Sequence, residues 1–212
     1  MSQDVRHAEL REKTQQLLQG ALKHVRAAAL AAALVPLGAV AVSPAVAQDR
    51  CCGGCPPAVP SPCDFVTSGG FVVTDSNVMA NFGVHGGCKK GNFWGHVNYV
   101  DHGTGYHVDS IQITGYVDPS PPSNTRDICG VATTNVSEPP VRFRVRLIDN
   151  GEPGTNDGFG IRLSNAYHVA TRLLGGGGPG GGNIDLHDPN PSTVGPDPAP
   201  DEFTMCGLVG AP

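Results

Sequence analysis

Residues 141–149 read VRFRVRLID, with Val141, Phe143, Val145 and Leu147 alternating with Arg142, Arg144 and Arg146. A period of two held over seven residues predicts a strand with one buried face. Phe159, Ile161 and Leu163 resume the period after a polar loop, so the two runs are expected to share one core layer. Upstream, Phe93, Val97 and Tyr99 alternate with Trp94, His96 and Asn98, and Ile111 and Ile113 mark a further strand. Shorter runs are FVVT, ICGVATT, AYHVATRL and NIDLH. No helical period survives beyond the first 47 residues. About eight or nine short strands, punctuated by Gly, Pro, Asn and Asp, predict an all-β fold, an antiparallel sandwich of jelly-roll-like or Greek-key order.

The ends of the chain read differently. Residues 1–47 run from a polar stretch ending in Lys23 and Arg26, through the apolar AAALAAALVPLGAVAV, to SPAVA, a small-x-small cleavage signal. That is the order of a secretory signal peptide. The apolar run, broken by Pro36, is short for a membrane span, so none is expected after cleavage. Residues 48–62 form a Cys/Pro/Gly linker, 63–187 the β domain, and 188–212 an extended proline-rich tail. Cleavage after Ala47 leaves 165 residues with nine Lys/Arg against 16 Asp/Glu, a formal charge of −7. Such a surface cannot replace phosphate counterions, which argues against nucleic acid. The expected location is secreted, extracellular or at the cell surface, with the periplasm as the other destination.

Four groups of residues are candidates for chemistry. The loop DNGEPGTND offers Asp149, Glu152, Asn156 and Asp157, whose oxygens could hold calcium. Calcium wants six to eight oxygens at about 2.3–2.6 Å, and the spacing lacks the alternate ligands and closing glutamate of an EF-hand. The favoured reading is a hairpin turn fixed by its own carboxylates, with no cofactor. His96, Asp101 and His102 would centre a metal-dependent hydrolase. His96 and His102, however, are about 20 Å apart along an extended strand, so half-buried or surface histidines are favoured. Arg142, Arg144, Arg146 and Arg162 share the outward parity and could grip a uronate or sulfated glycan bidentately; a solvated face is the plainer reading. The tract GGGGPGGGN (residues 175–183) lacks a following helix, so it is read as a loop or a close backbone approach rather than a phosphate cradle.

All seven cysteines lie beyond the leader, where an oxidising compartment makes disulfides the default. Cys88 and Cys129 are each flanked by glycine, which predicts an 88–129 bridge; Cys63 and Cys206 open and close the domain, which predicts 63–206. Cys51, Cys52 and Cys55 remain in the linker, where one must be unpaired and could join copies into a disulfide-linked oligomer.

The stretches CDFVTSGGFVVT, ANFGVHGGCKKGNFWGHVNYVDHGTGYHV, TRDICGVATTN, DNGEPGTNDGFGIRLSN and GGGPGGGNIDLH together resemble the bacterial post-COAP-1 domain, from about Cys63 to His187. The resemblance implies a secreted or surface module, with no catalytic residues to carry over. The expected function is therefore an exported, non-enzymatic β module with a structural or binding role at the bacterial cell exterior. Its partners would be surface glycans or other surface proteins. The alternatives are a calcium- or glycan-binding module using residues 149–157 or the arginine face, and the hydrolase centred on His96, Asp101 and His102.

Overall fold

The computed structural model describes residues 57–212. The expected leader (1–47), most of the linker, and Cys51, Cys52 and Cys55 lie outside the described residues. Nine strands follow in order: β1 (Phe65–Val73), β2 (Met79–Lys89), β3 (Asn92–Asp101), β4 (Tyr106–Val117), β5 (Thr125–Thr134), β6 (Val141–Ile148), β7 (Gly158–Leu163), β8 (His168–Leu173) and β9 (Gly182–His187). A short helix, α1 (Glu202–Cys206), closes the chain, with Asp201 accepting from the Thr204 backbone N–H as its N-cap.

All neighbours are antiparallel, in the order β8-β7-β6-β5-β4-β3-β2-β1-β9. The all-β expectation holds. The sheet is one continuous curled half-barrel, however, and its order is sequential from β1 to β8 with β9 returning beside β1, not the crossed order of a jelly roll. The curl brings Phe82 of β2 onto Phe159 of β7, with ring centroids 4.0 Å apart. In a flat sheet these strands, five steps apart, would be separated by about 24 Å. The concave face therefore holds the core. Val141, Phe143, Val145, Leu147, Phe159, Ile161 and Leu163 all lie in it, as the period of two predicted.

β4 keeps no single period, because two register irregularities, between Ser110 and Gln112 and between Ile113 and Gly115, shift its phase against β5. Ile111 is consequently exposed, while Val108 and Tyr116 carry the buried face. Bulges re-aim side chains in this way.

A second, smaller apolar cluster sits on the outer face, where Val117 and Cys129 meet Met205 and Cys206. The tail is thus not merely extended, because α1 docks on the sheet. Gly115 permits this, since a Cβ there would collide with Met205. The N-terminal boundary also shifts: Ala58, assigned to the linker, exchanges both backbone hydrogen bonds with Asp118 (3.1 and 2.8 Å).

The bridged cysteines are the four expected, with their partners exchanged. Cys63 bonds Cys88, and Cys129 bonds Cys206. An 88–129 bridge fails on two counts. Cys88 belongs to the core cluster and Cys129 to the outer one, so they face opposite sides. Their strands, β2 and β5, are three steps apart, about 14 Å, whereas a bridge needs Cα atoms within about 4.4–6.8 Å.

Candidate functional site

The β6–β7 loop is built as a turn and does one thing more. Asp149 accepts from the Gly151 N–H (2.8 Å) and Asp157 from the Asn150 N–H (2.8 Å), which fixes the loop internally. Their second oxygens reach outward: Asp157 accepts from the Ile184 N–H (2.8 Å) and Asp149 from the Leu186 N–H (2.9 Å). Ile184 and Leu186 lie on β9, whose other edge pairs with β1. Two carboxylates therefore stand where a tenth strand would, satisfying a sheet edge that would otherwise invite pairing. Glu152 accepts from the Asn183 side chain (2.8 Å) on the same strand, and Asn156 supplies its backbone carbonyl to Asn150 (2.6 Å). The four candidate calcium residues are thus spread along β9 and the turn. No group of three or more His, Cys, Asp or Glu side chains is arranged to hold a metal ion among the described residues. Asp157→Asn should cost about 1–3 kcal/mol, because the amide keeps only one oxygen and sets its NH2 donor against the N–H of either Asn150 or the buried Ile184. Hydrogen exchange at Ile184 should speed up before exchange in β3 does; equal acceleration everywhere would show that the loop does not hold β9.

The glycine tract is a close approach, as one of its two readings had it. It crosses from β8 to β9 beside β1, and Phe71 donates its N–H to the Gly181 carbonyl (2.9 Å). A Cβ on Gly181 would strike the backbone of Gly175.

The histidine–aspartate group does not assemble. Asp101 is buried at the core-side end of β3, while His96 lies on the other face opposite His85. Asp101 accepts from the N–H groups of Gly103 (2.8 Å) and Thr104 (3.2 Å) and from the Tyr167 hydroxyl (2.9 Å). Burial alone would raise the Asp101 pKa, but these hydrogen bonds outweigh it and hold the carboxyl below its usual range. His102 bonds Asn81 (2.7 Å). His96 lies between Ser110 (3.2 Å from its Nδ1) and Asp109 (3.2 Å from its Nε2). Ser110 Oγ is occupied in turn as the acceptor for the Val97 N–H (2.8 Å).

Asp101 instead anchors a tyrosine chain. Tyr167 stacks on Tyr106, and its hydroxyl lies 2.8 Å from that of Tyr99. Burial, together with the nearby Asp101 charge, pushes the Tyr99 phenol up from 10.0 to about 12, against the opposing hydrogen bond from Tyr167. A phenol whose folded pKa exceeds its unfolded value adds stability below the unfolded pKa, and that stability is lost as pH rises through the folded one. The melting temperature should therefore fall steeply between pH 10 and 12 as tyrosinate absorbance grows; a fall complete below pH 10 would remove this account.

The four arginines divide into two pairs. Arg144 and Arg146 point outward, as expected, yet they are not a solvated face. Asp127, wholly buried, takes a guanidinium nitrogen from each (2.6 Å from Arg144, 2.8 Å from Arg146), and Glu202 of α1 takes another from Arg144 (2.6 Å). The docked helix is what buries Arg144. Arg142 and Arg162 have no carboxylate within 4.0 Å among the described residues. They line a groove of about 1030 Å³ between the β6–β7 hairpin and the segment after α1. His168 lines the same groove, and partial desolvation, with Arg162 beside it, shifts its pKa down from the ordinary histidine value.

Three buried acids, Asp64, Asp118 and Asp127, escaped the sequence reading. Asp127 stands directly opposite Arg146 in the ladder, a cross-strand charge pair visible once β5 and β6 are placed in register. Asp64 receives Arg126 in two hydrogen bonds (3.1 and 2.5 Å) and the Tyr116 hydroxyl (2.6 Å) at the core end of the sheet. No local signal in the sequence announces that cluster. Its members lie 62 and 52 residues apart.

No protein-family model, curated protein or solved structure matches this chain. What the geometry defines is a class: a curled all-β module with a disulfide on each face and one cationic groove.

Proposed function

We propose that this chain is an exported, non-enzymatic β module with a binding or structural role at the bacterial cell exterior. The observation that carries the reading is the pair of disulfides, Cys63–Cys88 and Cys129–Cys206, in a chain that begins with a leader-like segment. Disulfides persist in oxidising compartments and are rare in reducing ones. The resemblance to the post-COAP-1 domain points the same way. No helix among the described residues is long and apolar enough to cross a membrane.

The test is to express the full chain in a bacterium, fractionate the cells, and alkylate free thiols before mapping peptides without reductant. The expected product begins at Gln48, lies outside the cytoplasm and carries both bridges. A full-length cytoplasmic product with reduced Cys63, Cys88, Cys129 and Cys206 would overturn the reading. The same mapping reports on Cys51, Cys52 and Cys55, of which one is expected to link two copies.

Calcium has the weaker claim, because both carboxylates of Asp149 and Asp157 already accept backbone N–H groups. Chelator should leave the melting temperature unchanged, since a ligand bound only by the folded state would raise it by mass action. A drop of several degrees would reinstate a calcium site. Ligand binding at the groove is the second reading that an observation favours, namely the unpaired charge of Arg142 and Arg162.

A further inference from the structure

The groove between the β6–β7 hairpin and the chain's end combines uncompensated positive charge with uncovered apolar surface. Arg126, Arg144, Arg146 and Arg172 each have a carboxylate partner; Arg142 and Arg162 have none among the described residues. No Asp or Glu lines the groove. Glu202, the acid nearest on α1, is turned away to Arg144. Arg162 stands directly across the ladder from Arg144, and only the latter is neutralised. The Nε of Arg162 is buried without an acceptor. A guanidinium that is partly desolvated and unpaired gains from a charge-assisted, bidentate partner more than a solvated one does.

The opposite wall is apolar. Phe203 and Leu208, respectively 65% and 91% exposed, line it. The volume stands at the upper end of the roughly 300–1,000 Å³ typical of small-molecule sites. Two cations in an otherwise acidic protein suit one small anion, not a polyanion. The apolar wall suits a ligand whose remainder is hydrocarbon, where a sugar would want hydroxyl partners.

We propose that this groove binds an amphipathic carboxylate, a medium-chain fatty acid in its simplest form, with the carboxylate on Arg142 and Arg162 and the chain along Phe203 and Leu208. This rests on the binding role proposed above but not on export, since it is tested on the purified full chain.

The probes are decanoate, decanol and acetate, titrated calorimetrically below the concentration at which decanoate self-associates. Decanoate should bind about tenfold or more tightly than decanol, with no measurable heat from acetate. Arg162→Gln should weaken decanoate by about tenfold and leave decanol unchanged. Leu208→Asp, at a position almost wholly exposed, should abolish both; circular dichroism melts of each variant confirm folding. Arg142→Gln gives a second reading should the Arg162 variant melt early. Equal affinity for decanoate and decanol would overturn the charge assignment. Acetate binding as well as decanoate would overturn the apolar wall. Absence of all binding would overturn the proposal while leaving the export reading to its own test.

Discussion

Asp127→Ala is expected to destabilise the protein by about 3–5 kcal/mol, the usual consequence of removing one partner from a buried ion pair. Asp127 is fully buried and receives both Arg144 (2.8 Å from its Nε) and Arg146 (2.8 Å from its Nε). Hydrogen bonding to Asp127 is the main reason the Arg146 guanidinium is held above its ordinary pKa, against the opposing effect of burial. Without that carboxylate, Glu202 alone faces two cations beneath α1. Urea denaturation measures the loss. A second variant tests the cause: Asp127→Leu combined with Arg144→Met and Arg146→Met removes the charge and both of its partners together. It should recover much of the stability, because apolar replacements of buried pairs are often neutral. If Asp127→Ala costs less than about 1 kcal/mol, the cluster behaves as a solvated surface pair and the covering role of α1 is wrong.

Removing the outer bridge should have an effect of similar size. Cys129 and Cys206 are 77 residues apart, and the chain-entropy model gives roughly 4–5 kcal/mol for closing such a loop; the 25-residue Cys63–Cys88 loop gives roughly 3–4. The Cys129→Ala, Cys206→Ala double variant should therefore lose more than the Cys63→Ala, Cys88→Ala one. It should also lose α1. Met205 and Cys206 form most of the helix side of the outer cluster, and a helix of five residues has no stability of its own. Arg144 should then become accessible, and decanoate binding should fall with it, since Phe203 and Leu208 are held in place by that segment. A double variant that keeps its groove would show that apolar packing, not the bridge, seats the tail.

The elements legible in the sequence are those whose pattern is local. The alternation in β6 and β7 foretold both the strands and the buried face, because one side of each meets the core along its whole length. The parity of Arg144 was equally legible and its environment was not. Outward on a sheet means exposed only if nothing docks there, and the covering helix is 58 residues away at Glu202. The disulfide partners were misread for the same reason. Glycine beside Cys88 and Cys129 says that a backbone can come close, not to what. Which strands neighbour each other, and which face each cysteine takes, decided the pairing. Asp149 and Asp157 were recognisable as turn residues, but their hold on Ile184 and Leu186 depends on where β9 arrives.

That arrival sets β9 apart. Every other strand pairs with the one before it in the chain, whereas β9 returns to β1, joining His187 to Phe65. A chain appearing N-terminus first can zip β1 to β8 one hairpin at a time, but the free edge of β1 stays bare until the last strand is delivered. Closing so large a loop is the non-local step that slows folding. The sheet is thus one strand move from a pure meander. A permuted chain with residues 182–187 placed ahead of Phe65 by a tight turn would make every pairing local. It should reach the same sheet faster, with no interval in which an uncovered edge waits for its partner.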